Sequence, residues 1–470
     1  MTTSRQLALS RRHFITSAAA VTLGFGGLST LVGRGAWASE LATGAAAGFG
    51  PLLPDMGKVF DLPEGFTYTV FSRWGETMED GFKVPARHDG MAAFPGKDGL
   101  TVIVRNHENH ATKPAEGPFG EDLALLPRAE GRLYDHGSGL TPSLGGTTTL
   151  LYDTHRQKFL RHRLSLAGTE RNCAGGPTPW GTWVTCEESV LRAGNNMEQD
   201  HGYNFEVPAD IDAPLVQAVP LKAMGRFNHE AIAVDPRTGI VYQTEDRNDG
   251  LIYRFLPTTP GKLAGGGKLQ AMVLRGAPSF DTRNWRRSAA HVPVGQQAAV
   301  QWIDIEDVES PNDDLRRQGF AKGAALFARG EGMWWGNDAV YFACTNGGRE
   351  ERGQVWKYVP SPHEGAAREA DEPGKLVLFV EPNDSGLIDN ADNLCVAPWG
   401  DVILVEDGSG EQFIVGITPK GRIYKLGRNA RGDSELAGVC YSPDGSTMFV
   451  NIQSDGLTVA ITGPWHKARA

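Results

Sequence analysis

Six short segments of this chain place a polar or ionisable residue before a small-apolar strand and close on a second polar cluster after a turn. They run from Asp89-Gly90-Met91 to Asn106-His107-Glu108, from Cys173-Ala174-Gly175 to Cys186-Glu187-Glu188, and from Glu230-Ala231-Ile232 to Thr244-Glu245-Asp246. The others run from Glu331-Gly332-Met333 to Cys344-Thr345-Asn346, from Asp392-Asn393-Leu394 to Val405-Glu406-Asp407, and from Glu435-Leu436-Ala437-Gly438 to Asn451. A single acid in a loop is ordinarily a solvated surface group. Carboxylates repeated at the same place in each unit would instead crowd like charges together, which is costly unless cations neutralise them. Carboxylate and amide oxygens suit a hard ion such as Ca²⁺. Cys173 stands where other copies carry Glu or Asp, and a thiolate is a poor calcium ligand but a good one for iron or another transition metal.

Such residues meet only if the repeats are arranged around one axis. Each copy reads as strand, turn, strand, and a β-propeller sets the innermost strand of every blade against a central channel. The expectation is an all-β, six-bladed β-propeller with loop insertions. Abundant glycine (59) and proline (28) between short apolar runs fit many strands joined by turns. Gly146–Asp153 and Gly250–Phe255 read as outer strands that complete blades, and the long stretches before Cys173 and Glu331 as sites of insertion. Residues 39–60 read as the entry to the first blade, and nothing after residue 38 divides the chain.

The run Asn172-Cys173-Ala174-Gly175-Gly176-Pro177-Thr178-Pro179-Trp180-Gly181-Thr182-Trp183-Val184-Thr185-Cys186-Glu187-Glu188 resembles the signature of the PhoX-type alkaline phosphatases. So, in order, do Asn106-His107-Glu108, Arg226-Phe227-Asn228-His229-Glu230, Thr244-Glu245-Asp246-Arg247, Arg329-Gly330-Glu331-Gly332 and Asp392-Asn393-Leu394. The resemblance implies a monomeric propeller that hydrolyses small phosphomonoesters at a centre of Fe³⁺ and Ca²⁺. It implies Cys173 as the thiolate bridging iron, and Asn106, Glu108, Glu188, Glu230, Asp246, Glu331, Asp392 and Glu435 as oxygen ligands, with Glu187 an alternative to Glu188. Arg329, two residues before Glu331, matches the arginine that holds the phosphate. Metals suit that chemistry, since they bind phosphate oxygens and activate an oxygen nucleophile, while an arginine fork recognises phosphate in a bidentate manner.

The amino terminus carries its own signal. Ser10-Arg11-Arg12-His13-Phe14-Ile15, an uncharged run to Arg34 and then Ala36-Trp37-Ala38 read as a twin-arginine export signal with a small-x-small cleavage site over residues 1–38. The expected partner is the twin-arginine translocase, and the destination the periplasm or the exterior. Glycines 24, 26 and 27 make the run too weakly apolar for a stable membrane span. Its removal takes four arginines and no acid, leaving 42 basic residues against 56 acidic ones. That balance argues against nucleic acid as the main partner. Five cysteines, with no C-x-x-C pair, do not make a disulfide scaffold. H-E-x-x-H, G-x-x-x-x-G-K-[ST] and G-x-S-x-G are absent. Two other readings fit a propeller with polar axial residues: a calcium-dependent lactonase or esterase of the gluconolactonase type, and a non-catalytic binding module stabilised by metal.

Overall fold

A computed structural model describes residues 48–194 and 196–467. The export signal at 1–38 lies outside the described residues, as do residues 39–47 of the entry segment. The described chain is all-β, with a single seven-residue α-helix, Leu315–Ala321, and several short 3₁₀ turns. Its strands form antiparallel meanders in a propeller-like arrangement.

The first meander is His88–Pro95, Thr101–His107, Gly145–Asp153 and Lys158–Thr169, and the next is Asn172–Pro177, Thr182–Glu187 and Asn204–Pro208. Two further meanders, beginning at His229–Val234 and Gly330–Gly336, are fused at their outer edges into one nine-stranded sheet. The strand Gln297–Asp304 makes the join by pairing with Gly267–Leu274 on one side and Lys375–Val380 on the other. The two remaining meanders begin at Ala391–Val396 and Leu436–Tyr441. Both are completed by strands from near the amino terminus: Phe60–Pro63 pairs with Ile423–Asn429, and Thr67–Arg73 with Leu457–Thr462. This ties the two ends of the described chain together and covers sheet edges that would otherwise stand open. The strands expected from the sequence to complete blades appear as Gly145–Asp153 and Ile252–Pro257, but each is third in its meander, with Lys158–Thr169 and Gly267–Leu274 paired outside them.

The opening strand of each meander lies against that of the next, and Leu436–Tyr441 returns against His88–Pro95, so these strands enclose an axis. Meanders stacked face to face bury both sides of their strands. Gly145–Asp153 and Val402–Glu406 are accordingly buried at every residue, and their sequences show no period of two, each ending in a single carboxylate.

Around the axis the backbones come very close. An added Cβ at Gly90 would stand 2.5 Å from the Ala174 Cα, and one at Gly332 2.6 Å from the Asn393 Cα. Below this constriction the Trp334 side chain packs against four separate apolar clusters of the core. It leaves a void of only ≈ 20 Å³, about the room one water needs. Polar groups at the top of the axis therefore sit in a closed-bottomed cup.

Candidate metal centre

One local geometry recurs in all six meanders. In five of them the opening strand carries a β-bulge just after its first residue, spanning Asp89-Gly90, Cys173-Ala174, Glu230-Ala231, Glu331-Gly332 and Asp392-Asn393. A bulge re-aims a side chain out of the sheet. Here it turns Asp89, Cys173, Glu230, Glu331 and Asp392 into the cup. In the sixth meander the corresponding residue is Ala437, and the bulge falls one residue later.

Two more sets follow from the same register. The residue just past the second strand is Glu108, Glu188, Asp246, Thr345, Asp407 or Gln453. Its amide donates in every case to the carbonyl of the residue just before the opening strand: Arg87 (3.1 Å), Arg171 (3.0 Å), Asn228 (3.1 Å), Arg329 (3.0 Å), Asn390 (3.0 Å) and Glu435 (3.2 Å). The second strand ends where the first begins, so residues distant in sequence are brought to one level around the axis.

The cup is a cavity of ≈ 320 Å³ lined by nine carboxylates, the Cys173 thiol and three arginines. Burial, reinforced by the neighbouring acids, pushes Asp89, Glu188, Glu230, Glu331, Asp392 and Glu435 well above the usual carboxylate range. Burial, with Glu230 and Glu188 beside it, likewise pushes the Cys173 thiol up. Its Sγ faces backbone carbonyls, that of His229 at 3.4 Å being the nearest of them, with the Glu188 and Glu230 carboxylates beside it.

The arginines offset part of this charge. Arg171 donates from Nε (2.9 Å) and Nη2 (2.6 Å) to Glu108, from Nη1 to the Glu188 carbonyl (3.0 Å), and from Nη2 to the Glu188 carboxylate. Arg329 forks onto Asp246 (2.8 and 3.0 Å) and reaches Glu331 at 2.7 Å. Gln453 shares one amide nitrogen among Asp89 (3.0 Å), Glu108 (3.0 Å) and Glu435 (2.7 Å). Three guanidiniums cannot neutralise nine carboxylates, and buried charge without a partner is unstable.

Cations would neutralise this excess, and two sets of donors are spaced to hold one. Ligand atoms of Cys173, Glu188 and Glu230 lie within 4.8 Å of one another, as do those of Glu230, Glu331 and Asp392. The first set contains a soft sulfur donor and the second is all oxygen, which suit a transition metal and a hard divalent cation respectively.

Of the residues singled out from the sequence, Cys173, Arg329, Glu108, Glu188, Glu230, Asp246, Glu331, Asp392 and Glu435 all line the cup. Asn106 does not. Its amide nitrogen donates to the carbonyls of Cys173 (3.1 Å) and Ala174 (2.6 Å), and its Oδ1 accepts from the Trp183 indole (2.8 Å). Asn106 is a brace behind the Cys173 bulge, with its hydrogen-bonding capacity turned away from the cavity. Glu435 enters from the level of the arginines and not from the level of Cys173. Asp89, Asp407, Arg87, Arg171, His110 and Gln453 complete the lining without having been singled out. Asp89 and Asp407 belong to the six repeated segments, and strand register would have found them. All five cysteines are free and buried.

A profile of the family "Alkaline phosphatase PhoX" matches residues 47–456. No curated protein sequence matches the chain. Among solved structures, that of Pseudomonas fluorescens PhoX in complex with vanadate, a transition-state analogue, is similar with a TM-score of 0.64 at 17% identity, covering 89% of this chain and 98% of that one. At such identity the likeness speaks to the fold. Virginiamycin B lyase from Staphylococcus aureus (TM-score 0.37, 8% identity, 84% and 99% covered) and a gluconolactonase from Xanthomonas campestris (0.36, 12%, 88% and 98%) are too distant to carry an argument.

Proposed function

This chain belongs to the PhoX family of alkaline phosphatases, and from that premise we infer that it hydrolyses phosphomonoesters to an alcohol and inorganic phosphate in the acidic cup. The observation that carries the reading is the concentration of nine carboxylates and one thiol in a single cavity, a donor set that makes sense only around several cations. In this reading Cys173, Glu188 and Glu230 would hold iron, and Glu230, Glu331, Asp392, Asp246, Glu108 and Glu435 would supply all-oxygen positions for calcium. Bound there, the metals would supply Lewis acidity towards the phosphoryl oxygens and an activated oxygen nucleophile.

The chain's own residues orient the substrate. Arg329 is fixed by Asp246 and Glu331 through Nε and Nη2, while its Nη1 has no acceptor among the described residues. That leaves the two N–H donors of one nitrogen, held in place by the fork onto Asp246, to meet phosphoryl oxygens. The Trp334 plug below the axis confines substrate entry to the acidic end. Substrate enters and both products leave by that mouth.

The same reading makes the fold a six-bladed propeller, supported by the six repeats of the amide-to-carbonyl bond and by the circular order of opening strands. It makes the protein a monomer, exported by the twin-arginine translocase to the periplasm or beyond. No helix among the described residues is long and apolar enough to cross a membrane.

The test is elemental analysis of exported protein together with release of phosphate from p-nitrophenyl phosphate. Iron with calcium and steady phosphate release are expected, and a calcium chelator should remove activity and lower Tm together, because ligands that bind only the folded state stabilise it. Protein fully loaded with both metals that releases no phosphate would sink the reading.

A further inference from the structure

The repeat that sets out the acids also sets out the arginines, and it makes two of them equivalent. Arg171 and Arg329 each occupy the position just before an opening strand, with left-handed backbones of φ 48° and 50°. Each carbonyl accepts the amide that follows its own second strand, Glu188 and Thr345 respectively. Each amide donates to the residue after the cup-lining acid of an earlier meander: Arg171 to the Asn109 carbonyl (3.1 Å), Arg329 to the Arg247 carbonyl (2.9 Å). Each side chain then reaches back to that same acid, Glu108 for Arg171 and Asp246 for Arg329. They are exposed alike, 29% and 32%, into the one cavity.

We propose that Arg171 is a second phosphate-holding residue, the repeat counterpart of Arg329, and that the two guanidiniums hold the dianionic phosphoryl group of a monoester from different sides of the cup. The proposal rests on the phosphatase reading above and adds a source of specificity. A monoester offers two charges and three free oxygens to two forks, whereas a diester offers one charge and two. Both arginines are engaged by carboxylates that are also candidate cation ligands, so cations compete for those oxygens and release N–H donors towards an anion. Arg87 occupies the corresponding position before His88–Pro95 and also has a positive φ of 44°. Its guanidinium, however, is drawn off to Glu116 (3.3 Å) and the Gln453 side-chain Oε1 (3.3 Å).

The alternative role for Arg171 is that of a fixed counter-ion that holds Glu108 and Glu188 in place. The experiment compares wild type, Arg171→Gln and Arg171→Lys as full-length, metal-loaded protein. It measures calorimetric affinity for inorganic phosphate, kcat/KM for a phosphomonoester and a phosphodiester, metal content and Tm. Arg171→Gln is expected to weaken phosphate binding at least tenfold and to lower the monoester-to-diester preference by a similar factor, with metal content unchanged. Arg171→Lys, which keeps the charge without the fork, should recover only part of the loss. Unchanged phosphate affinity in both variants would overturn the proposal, and so would loss of iron or calcium from both, which marks the counter-ion role. A wild type that neither binds phosphate nor releases it removes the phosphatase reading itself, whereas an active wild type matched by its variants removes only the role of Arg171.

Discussion

Glu187 and Glu188 leave the end of one strand in opposite directions. Glu188 lines the acidic cup beside Cys173, while Glu187 is wholly buried behind it. There Glu187 accepts from His201 (2.7 Å) and from the amides of Glu170 (2.9 Å), Gly202 (2.8 Å) and Tyr203 (3.2 Å). Every lone pair of Glu187 thus has a protein donor, so it anchors the loop 201–203 to the strand and is not free to hold a cation.

Adjacent substitutions should therefore separate structure from chemistry. Glu187→Gln removes one member of a buried charge network, a change that costs about 3 kcal/mol or more, and should lower Tm sharply. Glu188→Gln removes a carboxylate that burial and Asp246 already disfavour in ionised form. It is expected to leave the metal-free protein as stable as wild type or more so, while depleting bound metal and phosphate release. Thermal melts and elemental analysis of the two variants decide it, and a strongly destabilised Glu188→Gln with intact metal would reverse the assignment.

The partner of Glu187 gives a pH prediction. His201 is fully buried between Glu187 and Asp135 (3.3 Å). Burial opposes its charge, but the two carboxylates overcome that and hold the imidazole up to about 10. Its folded value thus lies above its ordinary one near 6.5. The stabilisation is complete below about pH 6.5 and is lost as pH rises through about 10. His201→Gln should be destabilised relative to wild type by several kcal/mol at pH 6, on the order of a broken buried pair. The gap should narrow steadily towards pH 10. Denaturant titrations of metal-loaded protein across that range measure it, and a gap independent of pH would show that His201 is neutral in the fold.

The acids of the cup were legible because the same strand–turn–strand solution is written six times. Where the copies differ, sequence alone misleads. In the last copy the acid, Glu435, is the natural residue to align with Asp89 and Glu230, yet strand pairing sets Ala437 at their level and Glu435 two residues earlier, beside the arginines. Asn106 sits inside its strand and Glu108 just beyond the end of it, a difference of two residues that decides whether a side chain braces the bulge or faces the cavity. Arg171 was hidden because its likeness to Arg329 lies in hydrogen bonds between meanders, which no local pattern records. The fusion of two meanders through Gln297–Asp304 was likewise invisible, since it depends on a segment read only as an insertion.

Close approach at the axis yields a prediction of its own. At Gly90 an added Cβ would press on the backbone of Ala174, so Gly90→Ala forces apart the two bulges that carry Asp89 and Cys173. Overpacking of this kind costs about 1–3 kcal/mol, and because both bulges carry cup residues, metal content should fall as well. Gly265→Ala serves as the control, since nothing lies within 4 Å of its added Cβ, and should be near neutral. Equal Tm and equal metal content in the two variants would remove the claim that glycine is needed at the axis.

Cys173 offers the clearest distinction between a packed thiol and a ligand. With backbone carbonyls and the Glu188 and Glu230 carboxylates around it, and burial and those acids pushing its thiol up, it gains nothing from ionisation unless a cation is present, because a metal ion inverts the local electrostatics and deprotonates the thiol. If it only packs, Cys173→Ala should cost about 1 kcal/mol and leave the metals in place. If it holds iron, Cys173→Ala should remove iron and nearly all phosphate release. Cys173→Ser should do nearly the same, because a hydroxyl gives up its proton far less readily and binds a transition metal differently. Calcium at Glu230, Glu331 and Asp392 should partly survive in both, since that set contains no sulfur. Elemental analysis alongside an assay on p-nitrophenyl phosphate measures the outcome. A Cys173→Ser protein that retains its iron, or an active wild type that contains none, would restrict the centre to calcium and require a nucleophile activated by oxygen-bound metal alone.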